Sequence, residues 1–133
     1  MGFYMSIRCR VAEWFRVGLL LSMFGVALPL QAHHSFAMFD KQRFTTIKGT
    51  LNKIDWRNPH VYLLVDVPNE KGEVTQYAVE GSSPNELGRW GWKKSSIKPG
   101  EVVTVEIYPL KDGRPGGLLY SVTLPDGSVL KAN

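Results

Sequence analysis

From Thr45 onward, apolar and polar residues alternate in short runs that end at Gly, Pro, Asn or Asp. This period of two is that of strands with one face in a core and the other in water. The pattern predicts strands at Thr45 to Ile54, His60 to Val67, Val74 to Glu80, Val102 to Tyr108 and Leu118 to Leu124, with a last short one at Val129 to Leu130. Gly49 is expected to bend or bulge the first strand. In the second, Val61, Leu63, Val65 and Val67 alternate with Tyr62, Leu64 and Asp66, and the turn from Pro68 to Gly72 folds it onto the third as a hairpin. Ser83 before Pro84 predicts a helix start, an N-cap with proline in the first turn, and Gly88 and Gly91 limit that helix to a turn or two. Three strands, a short helix and two more strands is the element order of the OB-fold. The fold class expected is all-β, a small OB-like Greek-key barrel of about five strands, with a β-sandwich as the alternative.

The first thirty residues break this pattern. Arg8, Arg10 and Arg16 stand against one acid, Glu13, and the apolar run Val17 to Leu30 follows with Pro29 and Ala32 at its end. That order of positive, apolar and small residues is the order of a secretory signal. The run has 14 residues, whereas a membrane-spanning helix needs about 20. The chain therefore reads as a cleavable signal over residues 1–32 and one domain over residues 33–133. Cleavage after Ala37 is a rival to cleavage after Ala32. The address implied is periplasmic or secreted, without a stable membrane anchor once the signal is cut.

Removing the signal changes what composition says. Three Arg and one Glu leave with it, so the formal charge falls from +4 to +2. Little remains of the electrostatic attraction that dominates nucleic-acid binding, and nucleic acid is not expected as a partner. Cys9, the only cysteine, also leaves. The domain must then be held by packing alone, without disulfides.

Spaced motifs carry a resemblance. His33-His-Ser-Phe36, Asp40, Trp56-Arg-Asn-Pro-His60, Gly81-Ser-Ser-Pro84, Leu87, Gly91-Trp92, Lys98-Pro-Gly100 and Pro109-Leu-Lys-Asp-Gly113 resemble a family of small exported bacterial proteins, domain-of-unknown-function family 6152. The resemblance covers nearly the whole of residues 33–133. It implies an extracytoplasmic β-rich domain and brings no activity or catalytic residues.

Chemistry has few places to reside. Cleavage after Ala32 would leave His33 as a terminal residue whose α-amine and ring nitrogen can chelate one ion, with His34 and His60 as further ligands. Such nitrogen-rich ligation favours Cu(II). The plainer reading is a solvated terminus and a strand-start histidine. Phe36, Met38 and Phe39 suggest that the terminal segment docks on the barrel. Trp56, Arg57 and Asn58 lie in the loop between the first two strands, on the ligand face of OB-folds, where Asn before Pro favours extended backbone. That loop is equally a structural corner with Trp56 as its plug. Of Trp90 and Trp92, one is expected in the core and one partly exposed. Lys111 and Arg114 bracket a glycine-rich loop, read as a hairpin connection because no helix follows to bind phosphate.

Asp40, Asp55, Glu80 and Glu86 are acids that general acid–base work could use, but no catalytic motif accompanies them. The leading expectation is a non-enzymatic exported binding module for another exported protein or a small molecule. It would use the terminal segment, the Trp56 to His60 loop and the 111 to 117 loop. Copper handling by His33, His34 and His60 is the alternative, and an enzyme using His60 with Asp40 or Glu80 comes third.

Overall fold

The structure is a computed structural model that describes residues 36–132. The signal reading, His33 and His34 lie outside the described residues. Strands β1 (Thr45–Asp55), β2 (Tyr62–Pro68) and β3 (Val74–Glu80) form an antiparallel meander. A helix, α1 (Pro84–Arg89), then leads to β4 (Val102–Pro109), β5 (Gly116–Thr123) and β6 (Val129–Lys131). β4 lies antiparallel to the first half of β1, and β5 to β4. β5 then runs parallel to the end of β3, with Ala78 opposite Gly116 and Glu80 opposite Leu118. That seam closes the circuit β1-β2-β3-β5-β4 into a mixed five-stranded barrel, with β6 as one added strand on β5. The result is an OB-like barrel, and closure rules out the open two-sheet sandwich.

The long first strand serves both halves of the barrel. Thr45–Thr50 pair with β4, and Thr50–Asp55 pair with β2. Gly49 stands where the two partners meet, and a Cβ there would come 2.3 Å from the Asp66 carbonyl oxygen. Only glycine lets the backbones approach so closely. The bulge itself falls three residues later. Leu51 opposes Val65 and Lys53 opposes Leu64, which leaves Asn52 as the extra residue. Ile47, Gly49 and Leu51 are buried by period two, and after the bulge the inward phase resumes at Ile54.

The seam is made by a second pair of glycines. A Cβ on Gly116 would lie 2.6 Å from the Ala78 carbonyl oxygen, and one on Gly117 would lie 2.4 Å from that of Tyr108. These residues are strand, not loop, so the loop preceding β5 is shorter than the glycine run suggests. The inward residues meet in one core. Leu51, Leu63, Val65 and Val79 of the meander pack with Leu87, Val103, Val105, Ile107 and Val122, all essentially sealed from solvent. Each such side chain contributes roughly 1.5–3 kcal/mol of burial.

Helix α1 forms as its sequence predicts. Ser83 is the N-cap, its hydroxyl accepting from the Glu86 N–H at 3.3 Å, and Pro84 follows. Gly91 has φ +88°, a left-handed exit that suits glycine. Leu87 faces the core, and Trp92 enters it and donates its indole N–H to the Lys131 carbonyl at 2.7 Å. Trp90 is 40% exposed. At the other end of the chain, Phe39 is buried outside the main core and bridges to Leu110. The Asp40 N–H donates to the Pro109 carbonyl, the Lys111 N–H to that of Met38, and the Lys111 Nζ to that of Ala37. The terminal segment is docked, as its apolar residues suggest.

Candidate functional site

The hairpin register decides which side chains share the outer face of β2 and β3. Tyr62 opposes Glu80, Leu64 opposes Ala78, and Asp66 opposes Gln76. All are out of phase with the buried Leu63, Val65 and Val79, so they line one outward face. Two loops border it. The Trp56 to His60 connection stands at the Tyr62 end, and the loop before β5 touches β3 where the Ala78 N–H donates to the Pro115 carbonyl at 3.4 Å.

At the Tyr62 end, Val61 bonds irregularly across to Gly81 and Ser82, so the ladder of β2 begins only at Tyr62 and His60 precedes it. His60 is thereby turned onto Glu80, with its Nδ1 2.5 Å from Oε1. Glu80 is only 9% exposed. A carboxylate so far from water needs a partner, and the imidazole N–H is it. Because Nδ1 is committed, Nε2 remains as the atom that can accept a proton, a hydrogen bond or a metal ion. Tyr62 joins the pair. Partial burial raises its phenol above the ordinary value, and the Glu80 charge and hydrogen bond raise it further. The phenol therefore remains a neutral donor beside the carboxylate.

Along the same face, Asp66 receives the Gln76 amide at 2.8 Å and the Asn52 amide at 2.7 Å. These bonds hold its carboxyl below the usual range, Gln76 contributing most. The bulge at Asn52 is what brings that amide to the face. Leu64 and Ala78 form an apolar floor between the two polar ends.

The residues singled out from sequence divide accordingly. Trp56 is half-buried and packs on the core, which gives it the role of corner plug. Arg57 is exposed and paired with Asp55 at 2.8 Å, while Asn58 is exposed and its peptide bond to Pro59 is cis. Lys111 is engaged in the terminal latch. Arg114 is bound by Asp112, whose carboxyl is held low chiefly by the Arg114 backbone N–H and then by its side chain. Trp92 is core, and Trp90 is exposed at the end of α1. Tyr62, Asp66, Asn52 and Gln76 are members of the face that motif reading passes over. The β2–β3 register brings Tyr62, Asp66 and Gln76 together, and the bulged β1–β2 register adds Asn52.

No group of three or more His, Cys, Asp or Glu side chains able to hold a metal lies among the described residues. His60 and Glu80 supply two such groups at most, and any third would have to come from elsewhere.

A small OB-like barrel with a polar outer face between two loops is the class that fold and site define. Residues 21–120 match a family of unknown function, DUF6152, and the chain belongs to that family. No curated protein matches it. Among solved structures it is similar to the mitochondrial single-stranded DNA binding protein Rim1 of S. cerevisiae, at 12% identity and a TM-score of 0.43, covering 68% of this chain and 97% of that one.

Proposed function

We propose that the chain is an exported, non-enzymatic binding module that takes its ligand on the outer face of β2 and β3. The observation that carries this reading is the Glu80 carboxylate, nearly buried on the outward side of a strand and held there by His60. Keeping a charged group at such a place costs stability unless it is partnered, and a purely structural corner needs none. The ligand class it suits is one with hydrogen-bond donors and acceptors, a small molecule or a segment of another exported protein. Affinity capture from the exported fraction tests this, with wild type beside His60→Ala, Glu80→Gln and, away from the face, Lys93→Ala. Loss of a captured species in the first two variants and retention in the third is the expected result. Equal capture by all four removes the face from the reading.

A second reading is favoured by one feature of the same pair. A carboxylate that takes one imidazole nitrogen and leaves the other outward is the usual outer support of a metal-bound histidine. His60 Nε2 would then join His33 and His34 around Cu(II). Calorimetric titration of Cu(II) into the protein, and into a form with one residue added ahead of His33, decides it. Equal affinity for both forms would exclude the terminal amine, and unchanged affinity in His60→Ala would exclude His60.

A further inference from the structure

We infer that the strap from Phe36 to Phe44 is a docking surface for a bilayer that carries anionic phospholipid. Eight large hydrophobic residues are exposed among the described residues, and three of them, Phe36, Met38 and Phe44, fall within these nine positions. Single exposed apolar side chains are ordinary, whereas several in one short segment mark a contact surface. Phe44 is 55% exposed and is backed by two tyrosines, its ring centroid 4.6 Å from Tyr108 and 4.8 Å from Tyr120. The three rings come from separate stretches of chain and stand outside the barrel core. The two tyrosines, each an apolar ring ending in a phenol, suit the boundary between headgroups and acyl chains, with the Phe44 ring as the apolar part.

The cations decide what covers this surface. The Asp40 N-terminal turn, in which Gln42 N–H donates to the Asp40 carboxylate, presents Lys41 and Arg43 on the solvent side between Met38 and Phe44. Lys41 Nζ stands 4.8 Å over the Phe36 ring. Arg43 is 74% exposed and lies 3.8 Å from Asp40, a loose pair. Lys111 and Arg114 stand on the adjoining loop, which the strap bridges at Leu110. Counting Asp40 and Asp112, this group of side chains carries a net charge of +2. Exposed apolar residues interleaved with Lys and Arg match a negatively charged interface, which gains from both burial and charge. A protein partner with an acidic rim, or a second copy of this chain, would exploit the apolar part without needing a lipid surface.

The strap begins six residues after the apolar run that ends at Leu30. On the export reading, it is therefore beside a bilayer as the chain crosses. Only the identity of that bilayer rests on this reading, since lipid binding is measured on purified protein.

The test is sedimentation of the protein, expressed from its full chain, with vesicles of phosphatidylcholine alone and of phosphatidylcholine containing one-third phosphatidylglycerol. Intact mass records separately whether the leader has been removed. Binding is expected to the anionic vesicles, to weaken in 0.5 M salt, to fall roughly fivefold for each cation neutralised, in Lys41→Gln and Arg43→Gln, and further for each one reversed, in Lys41→Glu and Arg43→Glu. Replacing Phe36, Met38 and Phe44 by Ser should abolish it. Equal binding to both vesicle types, or undiminished binding by the Ser variant, overturns the inference. So does concentration-dependent self-association that the Ser variant loses while vesicles are ignored. Should the Ser variant fail to fold, the charge reversals lie on a solvated turn and carry the test alone.

Discussion

Two corners of the barrel use the same device and differ in what it leaves over. At one, the Trp92 indole N–H meets the Lys131 carbonyl at 2.7 Å; at the other, His60 Nδ1 meets Glu80 Oε1 at 2.5 Å. Both bonds join segments far apart in sequence. The Trp92 bond exhausts its donor, which has a single N–H, and 2% of the residue is exposed. The His60 bond leaves a ring nitrogen, with the imidazole side chain 29% exposed and the carboxylate shared with the Tyr62 phenol. The first corner is finished by its bond. The second keeps a nitrogen in reserve and a route to solvent, which is why the proposed ligand face is placed there.

The comparison can be broken by stability measurements. Trp92→Ala is expected to cost about 3–5 kcal/mol, since it opens a cavity in the core and strips a cap from β6; urea unfolding reads this directly. Trp92→Phe should cost about 1–3 kcal/mol, because the ring stays and the Lys131 carbonyl loses its donor. At the other corner, His60→Ala should cost about 1–3 kcal/mol, because it takes the imidazole donor from the nearly buried Glu80 carboxylate, with a further effect in binding. If calorimetry of His60→Ala shows a loss as great as that of Trp92→Ala, the His60 corner is structural and the distinction fails. Glu80→Gln, which keeps an acceptor oxygen for the imidazole, should cost less than about 1 kcal/mol and still weaken ligand capture.

The smallest effect is one of pH. The Tyr62 phenol has a folded pKa raised above its unfolded value, so its contribution to stability is present below about pH 10 and is lost as pH rises through the raised value. Thermal unfolding between pH 9 and 11 should show wild type losing stability that Tyr62→Phe does not lose. Identical curves would mean that the Tyr62 phenol is not raised, either by its burial or by Glu80.

Legibility in the sequence followed the range of the interactions. Helix α1 is readable because Ser83, Pro84, Gly88 and Gly91 each act on backbone within a few residues of themselves. The β2–β3 hairpin is readable for the same reason, and with it the pairing of Tyr62 and Glu80. Even the bulge leaves a trace, since the apolar spacing from Leu51 to Ile54 is three where two is expected. The parallel seam of β3 with β5 leaves none. It joins Ala78 to Gly116 across the helix and β4, and Gly116 and Gly117 look like loop residues until the neighbouring carbonyls are in place. The ring cluster of Phe44, Tyr108 and Tyr120 leaves no trace for the same reason. Its members meet only after β1, β4 and β5 have assembled.

That seam also sets where the chain is open to change. The Leu110 N–H donates to the Gly116 carbonyl at 3.2 Å, so both feet of the intervening loop are fixed to the barrel. Between them, Asp112 to Pro115 are exposed. Loop length is thermodynamically cheap to alter when its ends are held. Residues there could be exchanged or lengthened as a cassette, giving a series of barrels with one scaffold and different recognition at the edge of the face.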